Sequence, residues 1–83
     1  MKSGKVVGRV WATKRVENLP AGALLEVELD GRARERVIAF DPLGSGDGER
    51  VLVTFGEAAT NWFPEGKAIV DALIVGALDD AGD

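Results

Sequence analysis

LLEVELDGRARERVIAFDP, residues 24 to 42, holds two alternating runs with a turn between them. In the first, Leu25, Val27 and Leu29 point one way, and Leu24, Glu26, Glu28 and Asp30 the other. Alternation of period two marks a half-buried strand. The second run, Arg34 to Asp41, sets Ile38 and Phe40 on one face and Val37 and Ala39 on the other. Asp30-Gly31 is a hairpin signal, since a type I′ turn needs positive φ at both central positions. Pro42 lacks an amide hydrogen and ends the second run.

Downstream, Gly44, Gly46 and Gly48 alternate in a short loop, GSGDG. A phosphate-binding P-loop would continue into lysine and Ser or Thr at a helix start. Here Glu49-Arg50 leads into another strand, with Val51, Val53 and Phe55 alternating with Arg50, Leu52 and Thr54. A dinucleotide fingerprint also needs a helix behind its glycines, and none follows. Asp41 and Asp47 do not have the spacing of a calcium-binding EF-hand loop. A tight corner, or a close approach to another backbone, is the reading left for the glycines.

GEAATNWF, residues 56 to 63, reads as a short helix stopped by Pro64 and Gly66. Ile69 to Leu78 reads as a last strand, apolar on both faces. Leu73, Ile74, Val75 and Leu78 cannot all face one small core. Such a run is either a central strand or a subunit contact. Upstream, Val6, Gly8, Val10 and Ala12 share one side of a first strand, and Lys5, Val7, Arg9, Trp11 and Thr13 the other. Gly8 suggests a bend or a close approach there. Residues 15 to 23 form a loop with Pro20 and Gly22. The order is β-β-β-β-α-β, which suggests a small OB-like β-barrel of five strands with one short helix before the last strand.

The chain has 83 residues, read as a single domain over 1–83, with an acidic tail from Asp79 expected to fray. It contains no cysteine and no histidine. That removes thiol chemistry, the commonest metal ligands and the commonest general base. Ser3 and Ser45, the only serines, have no histidine to activate them. We therefore expect no catalytic site, no cofactor and no metal. Asp41, Asp47 and Glu49 are read as turn-stabilising carboxylates. The net charge of −4 argues against nucleic acid as a partner. No leader-like or membrane-spanning run is visible, so a soluble, cytoplasmic protein is expected. Charge is uneven: Lys2, Lys5, Arg9, Lys14 and Arg15 precede the first acid, and Asp71, Asp79, Asp80 and Asp83 crowd the end. Solvated surface accounts for this, as does one end of a subunit meeting the opposite end of its neighbour.

Three stretches, in order, resemble the pentameric vertex proteins of bacterial microcompartment shells, the EutN/CcmL family. They are KVVGRVWATKR (5–15), AFDPLGSGDGERVLVTFGEAA (39–59) and VDALIVGALDD (70–80). Phe40, Glu57, Thr60 and the pair Trp62-Phe63 depart from the family pattern. The resemblance implies a cyclic homopentamer of barrel subunits that closes the vertices of a shell tiled by hexameric proteins. It implies itself and those hexamers as partners, and neither nucleic acid nor membrane. On this reading Gly44, Ser45, Gly46, Asp47 and Gly48 form a loop near other subunits, towards the fivefold axis. Leu73, Ile74 and Val75 are expected to supply apolar subunit contact. Two other functions fit a chain of this kind. One is an OB-like module stacking single-stranded nucleic acid on Trp11 beside Arg9. The other is a small accessory subunit docked on an enzyme.

Overall fold

A computed structural model describes residues 1–11, 14, 16, 19, 21–63 and 70–79. Its elements are β1 (Lys2–Val10), β2 (Ala23–Leu29), β3 (Arg36–Asp41), β4 (Arg50–Phe55), α1 (Glu57–Trp62) and β5 (Ala72–Leu78). The strands close into a barrel in the order β1-β2-β3-β5-β4. This is the expected element order. Strand β1 begins three residues earlier than its pattern suggested and stops before Trp11. Ala12 and Thr13, expected in the same strand, lie outside the described residues, as do Ile69 and the tail from Asp80.

The hairpin of residues 24–42 forms, but not through a two-residue turn. The Leu29 amide donates to the Glu35 carbonyl at 2.7 Å, which leaves five residues in the loop. Positive φ occurs at Gly31 (130°) and at Arg34 (49°), not at Asp30. The turn runs from Gly31 to Arg34, closed by the Arg34 amide on the Gly31 carbonyl at 3.4 Å. Asp-Gly marked the reversal, but the wider loop frees Asp30 for a different task, described below.

Two bulges interrupt the alternation. On β1, Val6 pairs with Val27 and Gly8 with Glu26, so Val7 has no opposite residue in β2. On β5, Ile74 pairs with Val53 and Gly76 with Leu52, which leaves Val75 over. An extra residue of this kind bends its strand and re-aims the side chains beyond it. Val7 and Val75 are 37% and 41% exposed, whereas Val6 and Ile74 are buried. The bend expected at Gly8 is thus present, but the close approach is at Gly4. A Cβ on Gly4 would lie 2.6 Å from the Glu28 carbonyl oxygen, so no side chain fits there.

Two apolar clusters hold the molecule together. The first fills the barrel with Val6, Leu25, Val27, Leu29, Val51, Val53 and Ile74. The second lies outside the barrel wall, where Phe40 and Leu73 meet Ala59, Phe63 and Val70. Val37 and Ala39 of β3 and Ala72 and Ile74 of β5 face the barrel interior, whereas Phe40 and Leu73 point under α1. Burying both faces explains the apolar first half of β5, Ala72 to Ile74. Burial at about 25 cal/mol per Å² makes such double coverage the main stabilising term in a chain this short.

Candidate assembly surfaces

The glycine loop is organised by Asp41, which is 5% exposed at the end of β3. Its carboxylate accepts from the Leu43 amide at 3.0 Å, the Ser45 amide at 2.6 Å and the Ser45 hydroxyl at 3.3 Å. Glu49 holds the other half, accepting from the Gly46 amide at 3.2 Å. The loop then joins β1: the Gly48 amide donates to the Val6 carbonyl, and the Val6 amide to Glu49. Gly44 and Gly48 have φ near +83° and +84°, where a side chain is strained. Gly46 does not, and a Cβ there would meet only Glu49 Oε1, at 3.6 Å. The loop is therefore a tight corner held largely by its own hydrogen bonds. Its Gly44, Gly46, Asp47 and Gly48 are exposed, and Ser45 is half-buried by its bonds to Asp41.

Strand β5 divides the apolar residues expected at a subunit contact. Leu73 is 1% exposed and Ile74 0%, one in each cluster. Both are shielded within one copy, so neither offers surface to a neighbour. That expectation is corrected: the doubly apolar run is a central strand, between β3 and β4. Val75, lifted out by its bulge, and Ala77 and Leu78 at the strand end keep apolar surface open.

Apolar surface is also left at Met1, Val16, Leu43 and Trp62 among the described residues, and at two places that bear on assembly. The first is a groove of about 590 Å³ formed by Leu29, Val37, Ile38, Phe55 and Ala72, with Lys2, Glu35 and Asp71. It exists because β3 and β5 meet at a single registered pair, Phe40 and Leu73. Among the described residues, the half of β3 that precedes this pair has β2 on one side and no strand on the other. Ile38, on that half, is 53% exposed. Phe55, at the end of β4, is only partly buried against the barrel interior. The second place is Trp11, 77% exposed just beyond β1. The Arg9 guanidinium carbon sits 4.6 Å from the centre of its ring. One face of the indole is thereby occupied, which leaves a single face for any stacking partner.

The helix carries a mixed aromatic edge. Phe63 is buried against Phe40 edge-on, at 5.2 Å between ring centres, while Trp62 packs on Phe63 yet stays 54% exposed. Thr60 bridges the helix to the chain entering β5, with its hydroxyl donating to the carbonyls of Gly56 and Val70. Gly56 caps the helix without any side-chain hydrogen bond.

Asp30, freed by the wide turn, ties three strands. Its carboxylate accepts from Arg50 at 2.5 and 3.2 Å and from the Ser3 hydroxyl at 2.7 Å. The bonds from Arg50, then the one from Ser3, hold its pKa below the ordinary 3.8. Both partners of this ion pair remain partly exposed, so solvent screens much of its strength. The pattern of residues did not flag this cluster, which depends on contacts across 20 or more residues. It did mark Asp41 as a turn-stabilising carboxylate, and the bonds from Leu43 and Ser45 are of that local kind.

The geometry has clear counterparts. The sequence model of the family described as "Ethanolamine utilisation protein EutN/carboxysome" matches residues 1–79. The microcompartment shell vertex protein GrpN of Rhodospirillum rubrum is 34% identical over 95% of this chain and 93% of its own. The carboxysome shell vertex protein CcmL of Synechocystis is 40% identical over 95% of this chain and 83% of its own. Among solved structures, a pentameric shell protein from the RMM microcompartment superposes with a TM-score of 0.91 at 49% identity, covering 100% of this chain and 95% of that one. The pentameric GrpN structure superposes at 0.80 with 32% identity, covering 95% and 94%.

Proposed function

Since this chain belongs to the EutN/CcmL family, we propose that it is a structural protein whose homopentamers cap the vertices of a bacterial microcompartment shell. The observation that carries this reading is the superposition, over the whole chain, on a pentameric shell protein at 49% identity. The physical picture is consistent with it. A flat layer of sixfold units cannot close, and fivefold units supply the missing curvature. A ring of five identical subunits needs a head-to-tail contact, in which one patch meets a different patch on the next copy.

The finer parts of the proposal follow from that role. The hexameric proteins that tile the shell are the neighbours of the pentamer, and the shell lies in the cytoplasm. The role is architectural, with no reaction and no cofactor. The glycine loop, anchored on Asp41, is the part we assign to the fivefold axis. Its bonds within the subunit satisfy the amides of Leu43, Ser45, Gly46, Gly48 and Glu49 before five copies converge.

A native mass spectrum of the purified chain tests the reading. Five times the 8.8 kDa subunit mass is expected. A species that stays at one subunit mass at micromolar concentration would contradict it.

A further inference from the structure

The groove and Trp11 lie at opposite ends of β1. Lys2, in the groove, opens the strand, and Trp11 follows its last residue. At roughly 3.3 Å per residue the two are about 25–30 Å apart, so the indole cannot reach the groove of its own chain. The two features are complementary in shape and in charge. One is a concave, largely apolar site carrying two carboxylates, Glu35 and Asp71, against one ammonium, Lys2. The other is a projecting aromatic ring with a guanidinium stacked on it and the exposed Lys14 nearby in sequence. Sites of about 300–1,000 Å³ hold ligands much larger than an indole, so a groove of this volume has room for it.

We infer that Trp11 of one copy docks in the groove of the next, against Ile38 and Phe55, with Arg9 facing Glu35 and Asp71. The inference rests on the ring proposed above and names its contact. A second copy is the occupant because the same chain carries both a knob and a matching socket, which is what a closed head-to-tail ring requires. Trp and Arg are also the residue types that most often dominate such contacts. The stacked guanidinium holds the indole in one orientation before docking, which lowers the ordering cost of association. Docking would cover Ile38 and the edge of β3 that no other described strand pairs, an edge that natural sheets protect.

The chain has two tryptophans, so Trp62→Phe leaves Trp11 as the only reporter and keeps an aromatic ring on Phe63. The expected result is a pentamer by native mass whose tryptophan emission is blue-shifted, and which moves red when dilution releases subunits. In the otherwise unmodified chain, Trp11→Ala and Ile38→Glu should each raise the concentration needed for assembly by about tenfold or more. Combining them should add little, since they remove one shared contact. A pentamer whose Trp11 emission is that of a solvent-exposed indole would overturn the docking inference and leave the ring standing. So would full assembly of both variants. An unmodified chain that never assembles would remove the ring and the contact together. The Trp62→Phe readout leaves knob and groove intact, so it decides the matter even where Ile38→Glu fails to fold.

Discussion

Ile74 and Val75 are neighbours in β5, yet the first is wholly buried and the second is 41% exposed. The strand before Val75 is covered twice, by the barrel interior and by the helix layer. The strand after it keeps only its pairing with β4. The bulge separates the two halves. The comparison teaches that one strand can serve the single copy along half its length and leave the other half to the surroundings. Apolar content does not distinguish the two; coverage does.

The comparison can be broken most directly at its buried side. Ile74→Ala should cost about 2–5 kcal/mol, as for other core truncations, whereas Val75→Ala should stay within about 0.5 kcal/mol. Urea unfolding of both at one protein concentration would check this, and similar losses would mean that the bulge does not divide the strand. Next in size is the loop. Asp41→Ala removes three hydrogen bonds and leaves partly buried donors of the loop without this partner, so a loss of about 1–3 kcal/mol is expected in the same measurement. A smaller contrast lies inside the loop. Gly44→Ala should cost about 1–2 kcal/mol, because its φ is left-handed. Gly46→Leu should leave subunit unfolding nearly unchanged and lower the yield of pentamer by native mass. An unaltered pentamer yield for Gly46→Leu would move the loop away from the fivefold axis.

The smallest effect is electrostatic. The folded pKa of Asp30 is depressed, so its contribution is fully present above the ordinary value of 3.8 and is lost as pH falls through the lower folded value. Asp30→Asn should therefore lower stability slightly at neutral pH and converge with the unmodified chain in strong acid. A difference that widens on acidification would reverse the assignment. Screening keeps the effect modest, because both charged side chains are partly open to water.

Much of the architecture was legible in the sequence. Alternation in β2, β3 and β4 located those strands, and Pro42, Gly56 and Pro64 located their limits or the helix beside them. The three stretches that carry the family resemblance were in place as well, and the match over residues 1–79 supports them. What was not legible involves departures from strict period. A bulge at Val7 or Val75 has no residue signature in a run of valine and glycine, yet it decides which side chain faces outward. Leu73 was read as surplus because its cover, the helix with Ala59 and Phe63, lies some ten residues away in the chain and packs on the outer wall. Trp11 was noticed as an exposed ring, but the groove was not, since it arises from where β5 begins relative to β3.

The single Phe40–Leu73 rung has a further consequence. Among the described residues it is the only registered tie between β3 and β5, where the cylinder shuts, and both of its residues belong to the layer under the helix. Peeling back that short helix and unzipping the cylinder are therefore coupled into one breathing motion. Amide hydrogens of β3 and of early β5 should then exchange with solvent together, at a common pace set by Phe63 letting go.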